Sequence, residues 1–200
     1  MAENNKRVIV VGIPGVGKTT VISRMAQILN QRGTQTAVVV FGTIMFEEAR
    51  KLGLNNRDEM RRQSIEDQRR MQNLAARRIA NMKDNIVIVD THLFINTIEG
   101  YYPGLPSNLL EIIKPTNIVM VAAQPEEIAN RRRTDGTRDR DILSVEDIQY
   151  QLDISKVMVA TCSVLTGCPF IIIMNSNNRI DETASKIVKA LTAEDSGLRK

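Results

Sequence analysis

The residues with the clearest chemical purpose form one run near the amino terminus, Gly12-Ile13-Pro14-Gly15-Val16-Gly17-Lys18-Thr19. The run matches G-x-x-x-x-G-K-[ST], a loop whose backbone N–H groups surround phosphate oxygens, and its glycines remove Cβ atoms that would block that approach. The helix start that follows such a loop adds unpaired N–H groups and the positive end of a dipole. Lys18 is therefore expected to bridge the outer two phosphates of a nucleoside triphosphate, and the Thr19 hydroxyl to bind Mg²⁺.

A second candidate group follows the apolar run Ile86–Val89, which is typical of a buried strand. Asp90 ends that strand beside the P-loop (residues Gly12–Thr19), where Mg²⁺ or one of its waters needs a carboxylate partner. His92 is the only histidine of the chain. We expect it to make a structural hydrogen bond, or one at the edge of a substrate, because phosphoryl transfer needs little acid–base catalysis.

Arginine is concentrated between Arg131 and Asp141, where five arginines and three aspartates surround a glycine. We predict a short flap that closes over the site and brings guanidinium groups onto transferring phosphates. Other arginines form pairs along a polar helix predicted from Asn55 to Met82. Most of that helix is predicted to be a solvated face, and its first pair, Arg61-Arg62, is the one expected to reach a ligand.

The elements that must hold these residues alternate between strands and helices. Apolar runs predict strands at about 7–11, 36–41, 86–89, 117–122 and 170–174, with helical patterns between them. This alternation predicts a parallel sheet with helices on both faces, in one domain over residues 1–192 before a polar tail at 193–200. Two excursions, about 43–82 and about 131–141, leave the carboxyl ends of strands, where ligands of such sheets bind. Gly100–Ser107 is predicted to be a turn-rich loop.

Composition narrows the class of protein. Two hundred residues with 42% apolar content suit one α/β domain, and a net charge of +4 suits small anionic ligands better than nucleic acid. Cys162 and Cys168 lack the neighbouring ligands of a zinc site, so two free thiols and no structural zinc are expected. The polar first residues and the short apolar runs predict neither a secretion signal nor a membrane span, and hence a cytoplasmic protein.

Motifs that the chain does not contain exclude two classes of nucleotide-binding protein. A switch GTPase would carry an N/T-K-x-D stretch and an ABC-type ATPase an S-G-G-Q run, and both are missing. A short P-loop chain with a helical insert and an arginine flap predicts a small-molecule kinase instead. The insert would hold the phosphate acceptor, and the flap would exclude water so that transfer outcompetes hydrolysis.

Six stretches of the sequence resemble the sequence motifs of one known family. They are Gly12-Ile13-Pro14-Gly15-Val16-Gly17-Lys18-Thr19-Thr20, Phe41-Gly42-Thr43-Ile44-Met45, Arg57-Asp58-Glu59-Met60-Arg61, Val89-Asp90-Thr91-His92, Gly100-Tyr101-Tyr102-Pro103-Gly104-Leu105-Pro106 and Thr137-Arg138-Asp139-Arg140-Asp141. Together they resemble the archaeal-type adenylate kinases over about residues 6–192. The P-loop is shared with many families, whereas the Asp-Thr-His and Gly-Tyr-x-Pro-Gly-Leu-Pro stretches are far more specific.

The resemblance implies the reaction ATP + AMP ⇌ 2 ADP with Mg²⁺. It also implies the three-layer P-loop kinase fold, with a five-stranded parallel sheet in the order 2-3-1-4-5, a helical insert for the nucleoside monophosphate and a short arginine-rich lid. The resemblance implies that ATP binds at Gly12, Ile13, Pro14, Gly15, Val16, Gly17, Lys18, Thr19 and Thr20. It implies that AMP binds at Thr43 and at Arg61, or else Arg57, and that Arg131, Arg138 and Arg140 are catalytic arginines of the flap. From the residues themselves, Lys18 is expected to be catalytic and His92 to lie at the edge of AMP. Family members are often trimers, so a homotrimer is implied as well.

The chain departs from the larger bacterial-type adenylate kinases at two places. Asp90-Thr91-His92 stands where those enzymes have a Gly-x-Pro-Arg run, and the flap lacks their inserted lid with zinc ligands. Two alternatives remain open at this point. One is a kinase for CMP, UMP or a small metabolite, because base choice depends on a few hydrogen bonds. The other is a non-catalytic module that binds RNA through the helix Arg61–Arg78, although mild charge and few aromatic residues disfavour it.

Overall fold

The computed structural model describes residues 5–97, 99–134 and 143–192. Of Arg61, which lies within the first range, it describes the backbone only. The predicted lid arginines Arg138 and Arg140 lie outside the described residues, as does the predicted polar tail.

The described chain forms seven strands. They are β1 (Lys6–Val11), β2 (Thr36–Val40), β3 (Ile86–Asp90), β4 (Phe94–Thr97), β5 (Gly100–Pro103), β6 (Asn117–Ala122) and β7 (Phe170–Met174). Five of them build one parallel sheet in the order β2-β3-β1-β6-β7, which confirms the predicted order 2-3-1-4-5 once β4 and β5 are set aside as a separate pair. All five residues of β3 are buried, as a central strand requires when both of its faces are covered.

Helices cover the sheet on both faces. They are α1 (Lys18–Gln31), α2 (Phe41–Lys51), α3 (Arg57–Arg62), α4 (Ile65–Ala80), α5 (Ser107–Ile113), α6 (Pro125–Thr134), α7 (Val145–Thr166) and α8 (Ile180–Thr192). Helix α1 packs against α8, while α5 packs between α4 and α7. The three-layer α/β fold predicted from the alternating elements is therefore confirmed.

The helix predicted from Asn55 to Met82 is wrong as a single element, because the chain breaks it into α3 and α4. Gln63 leaves the helical region with φ −64° and ψ 160°, and Ser64 begins a new helix as its N-cap. The Ser64 hydroxyl accepts a hydrogen bond from the Asp67 N–H at 3.1 Å. The same spacing recurs at Ser144 and Asp147, where Ser144 is the N-cap of α7 and its side chain accepts from the Asp147 N–H.

The segment predicted as a turn-rich loop from Gly100 to Ser107 is also different in the structure. Its first residues form β5, which pairs antiparallel with β4 to make a hairpin. A hydrogen bond of 2.7 Å from the Gly104 N–H to the Leu93 carbonyl continues the pairing of the hairpin by one residue beyond the first pair, Phe94 with Pro103. A Cβ atom at Gly104 would lie 2.3 Å from the His92 carbonyl oxygen, so this close approach requires glycine.

Within the described residues, no helix combines the length and the apolar composition that crossing a bilayer requires.

Candidate active site

The P-loop connects the buried strand β1 directly to α1. Gly15 and Gly17 adopt φ values of 95° and 83°, a left-handed conformation that favours glycine. Gly17 is the N-cap of α1, and its carbonyl accepts the Val21 N–H at 3.1 Å. The N–H groups of the first turn have no acceptor within the helix, so they form a ready site for an anion.

Glycines in the P-loop are also required by the protein that surrounds them. A Cβ atom at Gly12 would lie 2.5 Å from the Val121 carbonyl oxygen, and one at Gly17 would lie 2.5 Å from the Asn175 side-chain nitrogen. Sequence reasoning attributes these glycines to the approach of phosphate. The structure adds that the loop packs too closely on its protein side to admit a larger residue.

Lys18 and Asp90, predicted to serve the phosphates and Mg²⁺, form an ion pair in which Lys18 donates to the carboxylate. Both side chains are mostly buried, with 10% and 11% of their surface exposed. The parallel pairing of β1 with β3 places Asp90 beside Val10, just before the P-loop. Thr19 follows Lys18 in the first turn of α1 and is exposed, so the predicted Lys18, Thr19 and Asp90 meet at one edge of the sheet.

His92 lies two residues beyond Asp90 and keeps an edge exposed to solvent. The surrounding protein nevertheless removes much of the water from around its imidazole, and the Lys18 ammonium is nearby. These two effects, the first larger than the second, lower the pKa of His92 from 6.5 to about 4. The imidazole is therefore neutral at physiological pH, which suits a hydrogen-bonding role better than a charged contact with phosphate.

Two residues predicted to bind AMP come together at the start of α2. Arg57 donates a hydrogen bond of 3.1 Å to the Thr43 hydroxyl, although most of α2 and the turn after it lie between the two residues in the sequence. The Arg57 guanidinium also lies over the Phe46 ring, 5.6 Å from its centroid, which is within cation–π range. Arg61, the other predicted arginine, belongs to α3, but its side chain lies outside the described part of the structure.

Arg131, predicted to belong to the flap, points instead into the body of the protein at the end of α6. Its guanidinium donates to the Val16 carbonyl at 3.3 Å and to the Asn175 carbonyl at 2.9 Å. It also donates to the Asn177 side-chain oxygen at 2.7 Å. The structure therefore joins Arg131 to the P-loop and to the end of β7.

Sequence reasoning missed two residues that touch the P-loop. Arg132 is 8% exposed and donates from Nε to the Pro14 carbonyl at 2.9 Å. Asn175 is 3% exposed and donates from Nδ2 to the Val16 carbonyl at 2.8 Å. The position of Asn175 just after a strand was a usable signal, because ligands of parallel sheets bind there. Nothing in the sequence distinguishes Arg132 from the arginines on either side.

The assembled site is suited to a polyphosphate. Cationic side chains from α1 and α6 surround a glycine loop, and two acidic groups, Asp90 and Glu127, keep them oriented. Among the described residues, no three His, Cys, Asp or Glu side chains group closely enough to hold a metal on their own. Mg²⁺ commonly binds through one or two protein oxygens together with substrate phosphates and water.

The chain is similar to several known proteins. A family model described as AAA domain matches residues 11–149. The chain is 42% identical to an adenylate kinase from Methanocaldococcus jannaschii over 189 residues, which are 94% of this chain and 98% of that protein. It is 38% identical to an adenylate kinase from Methanococcus aeolicus, with the same coverage of 94% and 98%.

One solved structure illustrates how widely the fold is shared. The structure of a shikimate kinase from Acinetobacter baumannii in complex with shikimate matches with a TM-score of 0.61 at 16% sequence identity. The match covers 98% of this chain and 97% of that one. At this identity the likeness shows the fold alone.

Proposed function

The chain belongs to the adenylate kinase family, and from that membership we propose that it transfers a phosphoryl group reversibly from ATP to AMP to give two ADP. The observation that carries this proposal is the match to curated relatives over 94% of the chain. The site geometry supports it, because the P-loop, Lys18 and the Thr43–Arg57 pair supply separate places for a triphosphate and for an acceptor.

We propose that ATP is held by the P-loop residues and Thr20. The first-turn N–H groups of α1 would bind phosphate oxygens, and Lys18 would add a cation at the group being transferred. Phosphoryl transfer needs little covalent participation from the protein. The contribution of these residues is therefore positioning and stabilisation of negative charge that develops during transfer.

Mg²⁺ is the proposed metal cofactor, bound together with ATP. Thr19 would offer its hydroxyl and Asp90 its carboxylate, the latter through a water, and both are the hard oxygen donors that Mg²⁺ prefers. Bound there, the ion would neutralise charge on the phosphates. Since Lys18 and Asp90 pair with each other in the structure, ATP with Mg²⁺ would divide the pair, the lysine turning to phosphate and the carboxylate to the hydrated ion.

AMP is proposed to bind at the helical insert. Thr43 would contact the adenosine part, and Arg57 or Arg61 would bind the phosphate. The hydrogen bond between Thr43 and Arg57 supports this, because it holds the arginine over the start of α2. His92, neutral because of its lowered pKa, would offer a hydrogen bond at the edge of the substrate. Arg138 and Arg140 are proposed to close over the transferring phosphates, as the resemblance implies.

We further propose a homotrimer, since the outer face of α7 supports self-association. From Val157 to Asn178 the sequence contains no charged residue. Even so, 67% of Val157 and 84% of Val164 is exposed. Tyr150, Ile154, Val157 and Val164 follow one another at spacings of four, three and seven residues, which places them on one side of the helix. Exposed apolar surface of this kind marks an interface more often than free surface.

A cytoplasmic location stays a prediction. Cys162 and Cys168 are free and buried, which fits a reducing compartment.

The deciding experiment is a coupled assay for ADP formed from ATP and AMP in the presence of Mg²⁺. A panel with labelled ATP and the acceptors AMP, CMP and UMP would test the choice of base. The proposal is supported by rapid turnover that is strongest with AMP. It is overturned if AMP is not phosphorylated, or if another acceptor is preferred by a wide margin.

A further inference from the structure

Three side chains converge on the carbonyl groups of the P-loop, and we refer to Arg131, Arg132 and Asn175 as the carbonyl clamp. Arg132 holds the Pro14 carbonyl at 2.9 Å. Asn175 and Arg131 both hold the Val16 carbonyl, at 2.8 Å and 3.3 Å. Arg131 also donates to the Gly15 carbonyl at a longer distance of 3.5 Å. The clamp thus contacts three consecutive carbonyls of the loop, with its shorter hydrogen bonds at Pro14 and Val16.

Fixing a carbonyl also fixes the N–H group of the next residue. A trans peptide unit is planar, so its C=O and N–H bonds point in opposite directions. The Pro14 carbonyl shares a peptide unit with the Gly15 N–H, and the Val16 carbonyl shares one with the Gly17 N–H. The clamp pulls both carbonyls toward the protein and consequently turns the amides of Gly15 and Gly17 away from it, toward the space where a P-loop binds phosphate.

The loop needs such restraint because of its glycines. Glycine has the least restricted backbone of any residue type. Gly15 and Gly17 have positive φ values here, but without restraint each could also adopt other backbone conformations. The same glycines admit the clamp. A Cβ atom at Gly15 would lie 3.1 Å from Arg132 Cγ, and one at Gly17 would lie 2.5 Å from Asn175 Nδ2. The glycines that loosen the loop are therefore the ones that allow the clamp to approach and fix it.

The clamp is itself anchored in the sheet. The Asn175 N–H donates to the Ala122 carbonyl at 2.7 Å, which continues the pairing of β6 with β7. Arg131 donates to the Asn175 carbonyl at 2.9 Å, and Glu127 accepts hydrogen bonds from both Arg131 and the Asn177 N–H. The clamp therefore transmits the rigidity of the central sheet to the loop.

We propose that the carbonyl clamp positions the Gly15 and Gly17 amides for the triphosphate of ATP and so determines the affinity for ATP rather than for AMP. The inference rests on the proposed function, in which the P-loop binds ATP. Arg131, Arg132 and Asn175 act here as positioning residues, because they contact the loop. Amides aimed in advance bind an anion more tightly, since the cost of ordering them is met during folding.

The central test is Asn175→Asp, which keeps the size of the side chain but places a carboxylate oxygen against the Val16 carbonyl. ATP binding with Mg²⁺, measured by titration calorimetry, should weaken about tenfold, because a charge-bearing site loses an oriented donor and gains a repulsion. AMP binding should change less than twofold, and KM for ATP should rise more than KM for AMP. Asn178→Asp is the matched control, because Asn178 is exposed and receives the same chemical change three residues away.

A second pair of variants protects the test against a folding defect at the buried Asn175. Arg131→Met removes the other donor to Val16, and Arg131→Lys keeps the charge without the forked geometry. The proposal is supported if ATP affinity falls in Arg131→Met and is only partly restored in Arg131→Lys. Both variants should unfold at temperatures near that of the unmodified chain, which shows that they are folded.

Unchanged ATP affinity in a folded Arg131→Met and in Asn175→Asp would overturn the clamp, as would an equal loss of ATP and AMP binding. These binding measurements do not require turnover. A chain that binds ATP through the clamp but makes no ADP from AMP would refute the proposed reaction alone.

Discussion

The ammonium of Lys18 donates a hydrogen bond to the carboxylate of Asp90, which is 72 positions away in the sequence. Parallel pairing of β1 with β3 brings the two residues to the same edge of the sheet. The pair keeps both charges compensated while they are largely buried. A ligand that carries both phosphate and a hydrated cation offers each member a new partner of the correct sign.

Lys18→Ala should lower kcat by about 100- to 1000-fold, because a preorganised cation on the transferring phosphate is lost. The coupled assay for ADP measures this directly. Lys186→Ala is the control, because Lys186 makes a surface ion pair with Glu182 on α8, remote in sequence from the site. Turnover of Lys18→Ala within threefold of the unmodified chain would remove Lys18 from its proposed role.

Arg138→Ala should reduce kcat more than it reduces affinity for ATP. A guanidinium that reaches the phosphates only during transfer stabilises the transition state and not the bound ground state. Steady-state kinetics and calorimetric titration with ATP, performed on the same preparation, separate the two effects. Weakened binding with an unchanged rate would make Arg138 a binding residue only.

His92 should titrate at about pH 4, well below the ordinary 6.5, because surrounding protein disfavours the charged imidazole and Lys18 adds a repulsion. The unfolded chain then binds a proton between about pH 6.5 and pH 4 that the folded chain does not. The free energy of unfolding should therefore fall as pH falls through this window. Since His92 is the only histidine, its NMR signals need no assignment.

Lys18→Met offers a check on the cause of that shift. It should move the His92 midpoint upward but keep it below 6.5, because removal of water is the larger cause. A midpoint near 6.5 in the unmodified chain would show that the imidazole is fully solvated.

Gly104→Ala should lower the free energy of unfolding by about 1–3 kcal/mol, because its methyl group would collide with the His92 carbonyl 2.3 Å away. Differential scanning calorimetry would register a lower Tm. Gly42→Ala is the matched control: its Cβ atom would come no closer than 3.9 Å to Arg57, and it lies within α2, where alanine is favoured. Equal Tm values for both variants would contradict the close approach of Gly104 to the His92 carbonyl at the base of the hairpin.

Val164→Glu should convert the proposed homotrimer to a monomer, since a charge would enter the stretch from Val157 to Asn178, which bears none. Light scattering coupled to size-exclusion chromatography gives the mass before and after the change. Ile65→Glu is the control, because Ile65 is 62% exposed on α4, away from this face. A monomeric unmodified chain at high protein concentration would refute the homotrimer, whatever its activity.

The sequence alone determined the parallel sheet, the P-loop and the family, and the order of the strands followed from the resemblance to that family. Strands β1, β3 and β6 each contain an uninterrupted apolar run of four or five residues, and such runs predict buried parallel strands without knowledge of their partners. The P-loop is predictable because its chemistry depends on residues that are close together in the chain. Asp90 is predictable because the apolar strand before it places it at the end of a central strand.

Only the tertiary structure decided how the loop is held and where several side chains point. Arg131 and Arg132 are indistinguishable in sequence from Arg133, yet two of the three hold P-loop carbonyls more than one hundred residues away. The hairpin at Gly100 depends likewise on a contact between Gly104 and Leu93 across a reversal of the chain. Such contacts depend on the geometry of distant elements, whereas local patterns report only the preferences of neighbouring residues.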